Sequence, residues 1–243
     1  MTKGKLFLIP TLLSDSEITD VLPQGVINHI HRLSIFAVEK VRTARRFLIK
    51  TGIPTPVDDL EFIEFSKHSG EEKLMDIVMR LVQGQNIGLL SESGVPCIAD
   101  PGAILVEKAH EFQIPVIPLT GPSSILLGLM ASGFSGQKFS FHGYLPIDDK
   151  QRDNKLKFLE KLSSKEDQTQ MFIETPYRNL KMFNALLKVC ASSTKLSIAV
   201  ELTGKQERIF SHTISEWKNL VAPPIHKQNV IFSIYAPSKS SRR

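Results

Sequence analysis

The fold is decided by the stretch Leu89-Leu90-Ser91-Glu92-Ser93-Gly94-Val95-Pro96-Cys97-Ile98-Ala99-Asp100-Pro101-Gly102. An apolar run typical of a strand ends at its beginning, and a run typical of a helix follows its end. A second segment, Thr120-Gly121-Pro122-Ser123-Ser124, has the same arrangement. Small polar residues at the carboxyl ends of strands are where an open α/β sheet binds its ligands. The two segments therefore predict an α/β sheet with a ligand site at this edge.

The composition bounds the class of protein. The chain has 243 residues, of which 42% are hydrophobic and 23% charged, enough for one large domain or two small ones with an ordinary core. No apolar run approaches the roughly 20 residues that span a bilayer. The start, Met1-Thr2-Lys3-Gly4-Lys5-Leu6, passes directly into a predicted strand. We therefore expect a soluble, cytoplasmic protein without a membrane partner.

The chain offers little material for a metal site or a disulfide framework. Its two cysteines, Cys97 and Cys190, lie far apart in sequence, and no cluster of cysteines and histidines has metal-site spacing. The seven histidines are scattered, so no serine, histidine and acid set can be assigned from spacing. We expect no bound metal, and a packing role for both thiols.

The charge favours an anionic partner, although weakly. The net charge is +5, and many basic proteins bind no nucleic acid. Part of the excess lies on one predicted helix, which carries Lys40, Arg42, Arg45, Arg46 and Lys50. Such a stripe is most often a solvated helix face, and less often a contact for RNA phosphates. Arg42 and Arg45 are the candidates for substrate binding on this helix.

The first part of the chain alternates strand and helix signals with short connections. Strands are predicted near residues 6–11, 35–38, 87–90, 115–119 and 139–143. This pattern is typical of a mostly parallel sheet with helices on both faces. We therefore predict an N-terminal α/β domain over residues 1–145 with a five-stranded sheet.

A charged stretch follows that domain. Residues 146–153 are nearly free of apolar side chains, which predicts a linker. Residues 154–237 then supply two helix patterns and four strand patterns, three of them close together near residues 196–201, 207–213 and 229–235. We predict a C-terminal α/β domain with a mixed sheet. Residues 238–243 are expected to be a disordered tail.

The loop after the first predicted strand excludes the usual nucleotide sites. It reads Ile9-Pro10-Thr11-Leu12-Leu13-Ser14-Asp15, without a glycine-rich phosphate loop. Glu92 and Asp100 flank the principal loop and could act as paired carboxylates, but a helix cap is the favoured interpretation for Asp100. Glu39 either pairs with Arg42 or accepts a proton during the reaction.

Several motifs follow one another along the chain. They are Lys5-Leu6-Phe7-Leu8-Ile9-Pro10-Thr11, Val38-Glu39-Lys40-Val41-Arg42-Thr43-Ala44-Arg45, Ser91-Glu92-Ser93-Gly94-Val95-Pro96, Thr120-Gly121-Pro122, Phe141-His142-Gly143-Tyr144-Leu145-Pro146, Phe172-Ile173-Glu174-Thr175-Pro176-Tyr177-Arg178 and Glu201-Leu202-Thr203-Gly204-Lys205. In this order the chain resembles the tetrapyrrole methylase superfamily, the class III methyltransferases. Within it, the chain is most similar to the ribosomal RNA small-subunit methyltransferase I group. The likeness runs nearly from end to end.

The resemblance implies two α/β domains with S-adenosylmethionine in the cleft between them, in a homodimer. It also implies 2′-O-methylation of a cytidine in 16S ribosomal RNA. The implied cofactor contacts are Leu12, Ser93, Gly94, Val95, Ile98, Ser124, Ile125, Ile173, Glu174, and Val200 or Glu201. An alcohol acceptor must lose a proton, for which Glu92 and Glu39 are the candidate catalytic residues. Arg178 joins Arg42 and Arg45 as a candidate for substrate binding.

The chain departs from the group's motifs mainly on the substrate side. The group's Glu-Asp-Thr-Arg is here Glu39-Lys40-Val41-Arg42, and its Ser-Asp-Ala-Gly-Thr-Pro is here Ser91-Glu92-Ser93-Gly94-Val95-Pro96. A ribosomal RNA acceptor is therefore one hypothesis. A small-molecule, tetrapyrrole-like or protein acceptor is the second, and a protein that binds S-adenosylmethionine without turnover is the third.

Overall fold

The computed structural model describes residues 2–66 and 69–237. The chain divides into two compact units, Met1–Ser123 and Ser124–Arg243. The predicted tail at 238–243 lies outside the described residues. The division falls after Ser123 and not at the predicted linker 146–153, because most of that stretch belongs to the start of a long helix.

The first unit is built on a five-stranded sheet. Its strands are β1 (Leu6–Ile9), β2 (Ile35–Val38), β3 (Glu61–Glu64), β4 (Ile87–Leu90) and β5 (Val116–Pro118). They lie in the order β3-β2-β4-β1-β5, and every paired strand is parallel. The predicted parallel sheet is confirmed. Its carboxyl edge collects the loops that follow β1, β2, β4 and β5.

Five helices accompany this sheet: α1 (Ile18–Val21), α2 (Gln24–Ile30), α3 (Val41–Lys50), α4 (Glu71–Val82) and α5 (Ala103–Glu111). Alternate residues of the strands point to opposite faces, so the sheet has a core on each side. One core contains Phe36 and Val38 with side chains of α2 and α3, and the other contains Ile35 and Ala37 with side chains of α4 and α5. Helices on both faces are therefore confirmed.

The second unit is built on a mixed sheet. Its elements in chain order are α6 (Ser124–Ser132), β6 (Phe139–Tyr144), α7 (Asp149–Glu166), β7 (Thr169–Ile173), α8 (Asn179–Val189), β8 (Lys195–Val200), β9 (Arg208–Thr213), α9 (Ile214–Trp217) and β10 (Val230–Tyr235). The strand order is β6-β7-β10-β8-β9. β6 and β7 are parallel and the other pairs antiparallel, so the predicted mixed sheet is confirmed.

The strand at Phe139–Tyr144 corrects the predicted membership of the two sheets. It was predicted as the fifth strand of the first sheet, but β6 pairs with β7 of the second. The fifth strand of the first sheet is instead β3, whose partly exposed residues at the sheet edge carry a weak apolar pattern.

Helix α6 was also predicted within the first domain and lies in the second unit. It is apolar along most of its length and packs on the second sheet. A Cβ at Gly128 would lie 3.0 Å from Ile231 Cγ2, so the glycine allows this close approach of helix and strand.

Candidate functional site

Three loops of the first unit meet at the carboxyl edge of its sheet. The Thr11 amide after β1 donates to the Gly94 carbonyl after β4 at 2.9 Å. Gly94 has φ +76°, and a Cβ there would lie 2.8 Å from Leu13 Cδ2 and 3.0 Å from the Pro122 carbonyl oxygen. Only glycine fits this backbone and this space. The two segments that predicted a ligand site are thus packed together around Gly94.

The loop after β4 holds an unusual backbone. Gly94 and Gly102 have positive φ, and so do two residues that carry a side chain, Cys97 at 67° and Ala99 at 57°. Non-glycine residues in this region cost free energy and cluster at functional sites. The surrounding loops must therefore hold this backbone in place.

The predicted cofactor residues of the first unit lie in the loop after β4 and in the loop after β1. Ser93 and Ile98 are exposed, Val95 is half-buried and Gly94 is buried. Leu12 packs partly against the core and lines a pocket at the carboxyl ends of β1, β2 and β4. The structure brings these five residues to one edge of one unit.

The pocket has a volume of about 180 Å³. Polar groups of the strand ends line it through Thr11, Ser91 and Glu92, and helix α3 contributes Thr43 and Arg46. Thr11 is 95% buried, and its Oγ1 has no hydrogen-bond partner among the described residues. A buried hydroxyl without a partner is uncommon and calls for a physical reason.

Glu92, a predicted catalytic residue, is held by two groups of the α3 segment. It accepts a hydrogen bond from the Thr43 hydroxyl at 2.7 Å and pairs with Lys40 at 3.6 Å. Its side chain keeps a quarter of its surface exposed. The carboxylate is therefore oriented, yet open to a ligand.

Glu39, the other predicted catalytic residue, faces Asp100 across a carboxyl pair. Desolvation and the charge of Glu39 raise the pKa of Asp100 to about 6, while a hydrogen bond from the Ser91 hydroxyl opposes the rise. The prediction that Asp100 caps a helix is wrong: α5 begins after Gly102 and has no side-chain cap. Spacing alone could not reveal the pair, because it joins the end of β2 to the segment before α5.

The basic residues of α3 differ in their surroundings: some form ion pairs, and others are exposed. Arg45 pairs with Asp58 at 2.8 Å and lies over the Phe62 ring, and Lys50 pairs with Asp15 at 3.2 Å. Arg42 and Arg46 are exposed. The predicted substrate residue Arg45 is thus held by neighbours. Arg46, which belongs to the predicted basic stripe but was not among the predicted substrate residues, lines the pocket.

In the second unit, two residues predicted for different ligands bind each other. Arg178 Nη2 donates to Glu174 Oε1 at 2.5 Å, and Arg178 Nε donates to the same oxygen at 3.0 Å. The Thr175 amide also donates to Glu174 at 2.6 Å. The Glu174 side chain is only 4% exposed, so this carboxylate is satisfied inside the unit.

The remaining predicted cofactor residues of the second unit differ in accessibility. Ile125 and Val200 are buried, and Val200 belongs to the core of the unit, so its side chain cannot face a ligand. Ser124 and Ile173 are half-buried. Glu201 has φ +45° and accepts a hydrogen bond from the Asn229 amide at 2.6 Å.

The two cysteines are poor nucleophiles in this structure. Burial raises the pKa of Cys97 to about 11 and that of Cys190 to about 12, so both thiols stay protonated near neutral pH. Within residues 2–66 and 69–237, no group of three or more metal-binding side chains comes together. No helix in the same ranges is long and apolar enough to cross a membrane.

The loop around Gly94 fits the strand-end cradle that S-adenosylmethionine needs. The glycine leaves no side chain between the loops, and Ser93 is exposed beside it. Small residues and free polar groups at a strand end can hold ribose and carboxylate groups.

Comparison with known proteins decides the family. No protein-family model matches the chain. The ribosomal RNA small subunit methyltransferase I of Haemophilus influenzae is 31% identical over 217 residues, which cover 88% of this chain and 72% of that protein. The enzyme of the same name from Bacillus subtilis is 31% identical over 219 residues, covering 89% and 70%. The chain belongs to the ribosomal RNA small subunit methyltransferase I family.

Solved structures agree with this family in fold. The methyltransferase CobJ matches 97% of the chain with a TM-score of 0.60 and 13% identity. A uroporphyrin-III-C-methyltransferase from Thermus thermophilus matches 96% with a TM-score of 0.55 and 12% identity. The two-unit fold of tetrapyrrole methylases is therefore present, as the motifs predicted.

Membership in the ribosomal RNA small subunit methyltransferase I family makes the chain an enzyme. It is a methyltransferase that uses S-adenosylmethionine, which confirms the predicted reaction class and cofactor.

Proposed function

We propose that this methyltransferase transfers the methyl group of S-adenosylmethionine to a ribose 2′-hydroxyl of small-subunit ribosomal RNA. The observation that carries the proposal is the 31% identity to enzymes named for this RNA, over most of both chains. The exposed basic residues on α3 support an anionic partner. RNA phosphates attract such residues independently of sequence.

The loops at the carboxyl edge of the first sheet are proposed to hold the cofactor. When bound, S-adenosylmethionine supplies a methyl group that its sulfonium charge already activates. The protein then mainly aligns the acceptor and excludes water. Leu12, Ser93, Gly94, Val95 and Ile98 are the proposed contacts of the first unit. Ser124, Ile125, Ile173, Glu174 and Glu201 remain predicted contacts from the second unit.

The carboxyl pair of Glu39 and Asp100 is proposed to take up the proton of the acceptor hydroxyl. Ser91 lines the pocket and lowers the pKa of Asp100, so it lies between the pocket and the pair. A carboxyl group with a pKa of about 6 can exchange a proton near neutral pH. Glu92 is the second candidate, because it lines the same pocket.

A label-transfer assay tests the proposed function. Purified enzyme and S-adenosylmethionine with a labelled methyl group are incubated with small subunits, and with their RNA, from cells that lack the gene. A ribose methyl group protects the adjacent phosphodiester from alkali, so alkaline digestion should leave the label in a dinucleotide. Label in mononucleotides would show that the ribose 2′-hydroxyl is not the methyl acceptor. Label only in protein or small molecules would contradict the RNA acceptor.

Assembly and location are also proposed from the family. We expect a homodimer in the cytoplasm. A solution mass of twice 27.2 kDa by light scattering would support the dimer, and a mass of one chain would contradict it.

A further inference from the structure

The pocket at the carboxyl ends of β1, β2 and β4 adjoins the proposed cofactor loop. Ser91 and Glu92 line it, and the same loop continues directly into Ser93 and Gly94. Leu12 belongs to the pocket and is also a proposed cofactor contact. A methyl acceptor must lie against the donor, so a neighbouring pocket on the α3 side is the natural position for it.

The walls of the pocket combine three kinds of chemistry. Glu92 offers carboxylate oxygens, and the exposed Arg46 offers a cation at the rim. Val38, Phe47 and Leu90 supply apolar surface. A flat ring can lie on such surface, while a carboxylate accepts from an amino group and a guanidinium binds phosphate.

The pocket is large enough for one base, with a volume of about 180 Å³. Proteins that recognise RNA commonly take single unstacked bases into such pockets and read their hydrogen-bonding edges.

We propose that the pocket binds one unstacked nucleotide of the RNA substrate, whose exocyclic amino group donates to Glu92 and whose phosphate binds Arg46. The inference rests on the proposed RNA acceptor and adds to it the residues that select the nucleotide. Glu92 and Arg46 are then the residues that bind this nucleotide.

Steady-state kinetics with small-subunit RNA test the binding role of the pocket. Arg46→Ala should raise the KM for RNA about tenfold, and Arg46→Lys should restore most of the loss because a cation still reaches the phosphate. Arg32→Ala is the matched control, since Arg32 is exposed and lies before β2, at the opposite edge of the sheet. Its KM should stay within twofold of wild type.

The same variants separate this pocket from the cofactor site. Calorimetric titration with S-adenosylmethionine should give wild-type dissociation constants for all of them. Parallel loss of cofactor affinity would overturn the inference, because the pocket would then belong to the cofactor. An unchanged KM for RNA would overturn it as well. Failure of wild-type enzyme to label RNA would instead contradict the proposed function and the inference together.

The role of Glu92 is tested on the mapped target nucleotide. Replacing its base by one with a keto group in place of the amino group should lower kcat/KM of the wild type about 100-fold. Glu92→Gln presents an amide, which both accepts and donates, and should reduce this preference to below tenfold. A target base without an amino group, or an equal preference in the variant, would overturn the assignment.

Discussion

The strand ends of the first and second units differ in how their polar groups are satisfied. At the first sheet, Thr11 Oγ1 has no partner among the described residues, and two carboxyl groups face each other at Glu39 and Asp100. At the second sheet, Glu174 is bound by Arg178 and by a backbone amide, and Glu201 accepts from Asn229.

This difference indicates where a ligand is needed. Unpaired polar groups and strained backbone lower stability, and proteins retain them mainly at functional sites. At the second unit's strand ends, Glu174 and Glu201 have partners within the unit, although Asn179 Oδ1 at the start of α8 has none among the described residues. We therefore propose that the first unit's strand ends, with their carboxyl pair and the loop around Gly94, form the centre of the ligand site.

Gly94→Ala should give the largest effect on the first unit. The added Cβ meets Leu13 and a backbone carbonyl at a positive φ, so we expect a loss of about 2–4 kcal/mol in the free energy of unfolding. Gly52→Ala is the matched control: Gly52 has φ +70° and nothing within 4 Å of the added Cβ. It should cost only about 1 kcal/mol. Denaturant unfolding measures both, and equal losses would contradict the close approach of the loops.

Arg178→Ala should destabilise the second unit by about 2 kcal/mol, because it leaves the buried Glu174 carboxylate without its cation. The double variant with Glu174→Gln should recover part of this loss. Lys188→Ala, which removes an exposed cation of α8, is the control and should cost less than about 0.5 kcal/mol. A variant Arg178→Ala as stable as wild type would show that the pair does not satisfy Glu174.

Asp100→Asn tests the carboxyl pair through pH. The folded pKa of about 6 is raised above the ordinary 3.8, so protonation stabilises the fold. This contribution is present below about pH 4 and is lost as the pH rises through 6. The variant should therefore gain stability over wild type between pH 4.5 and 8, by on the order of 1 kcal/mol because the side chain is partly exposed.

Thermal unfolding across that pH range measures the difference. Glu39→Gln should reproduce part of it, since removing the second carboxylate lowers the pKa of Asp100 while the desolvation of Asp100 remains. If stability changed with pH in the same way in wild type and both variants, Glu39 and Asp100 would not interact as proposed.

Thr11→Val should give the smallest effect on stability, and in the opposite direction. The change removes an unpaired buried hydroxyl at similar volume, so we expect a gain of up to about 1 kcal/mol. Thr43→Val, which removes a hydroxyl bonded to Glu92, is the contrasting control and should not stabilise. A loss of stability in Thr11→Val would mean that the hydroxyl has a partner in solution.

The sequence predicted the elements better than their assembly. Periodicity and turn residues located most strands within a residue or two, because these signals are local. β6 and α6 were assigned to the wrong unit, since pairing with β7 and packing on β10 through Gly128 depend on distant residues.

In the candidate site too, local features were predictable and contacts between distant segments were not. The loop around Gly94 was predictable because glycine, proline and serine at a strand end are visible in the sequence. The Glu39–Asp100 pair and the position of Arg46 were not, because they join segments separated by tens of residues. Arg178 was predicted to bind substrate, because the sequence alone does not show that it pairs with Glu174.

Calorimetric titration of S-adenosylmethionine tests most directly the claim that the first unit's strand ends form the centre of the site. It is done on wild type, Gly94→Ala and Gly52→Ala, below the unfolding temperature of each. We expect binding by wild type and Gly52→Ala with similar affinity, and at least tenfold weaker binding by Gly94→Ala. Equal affinity in all three proteins, or no binding by wild type, would contradict it.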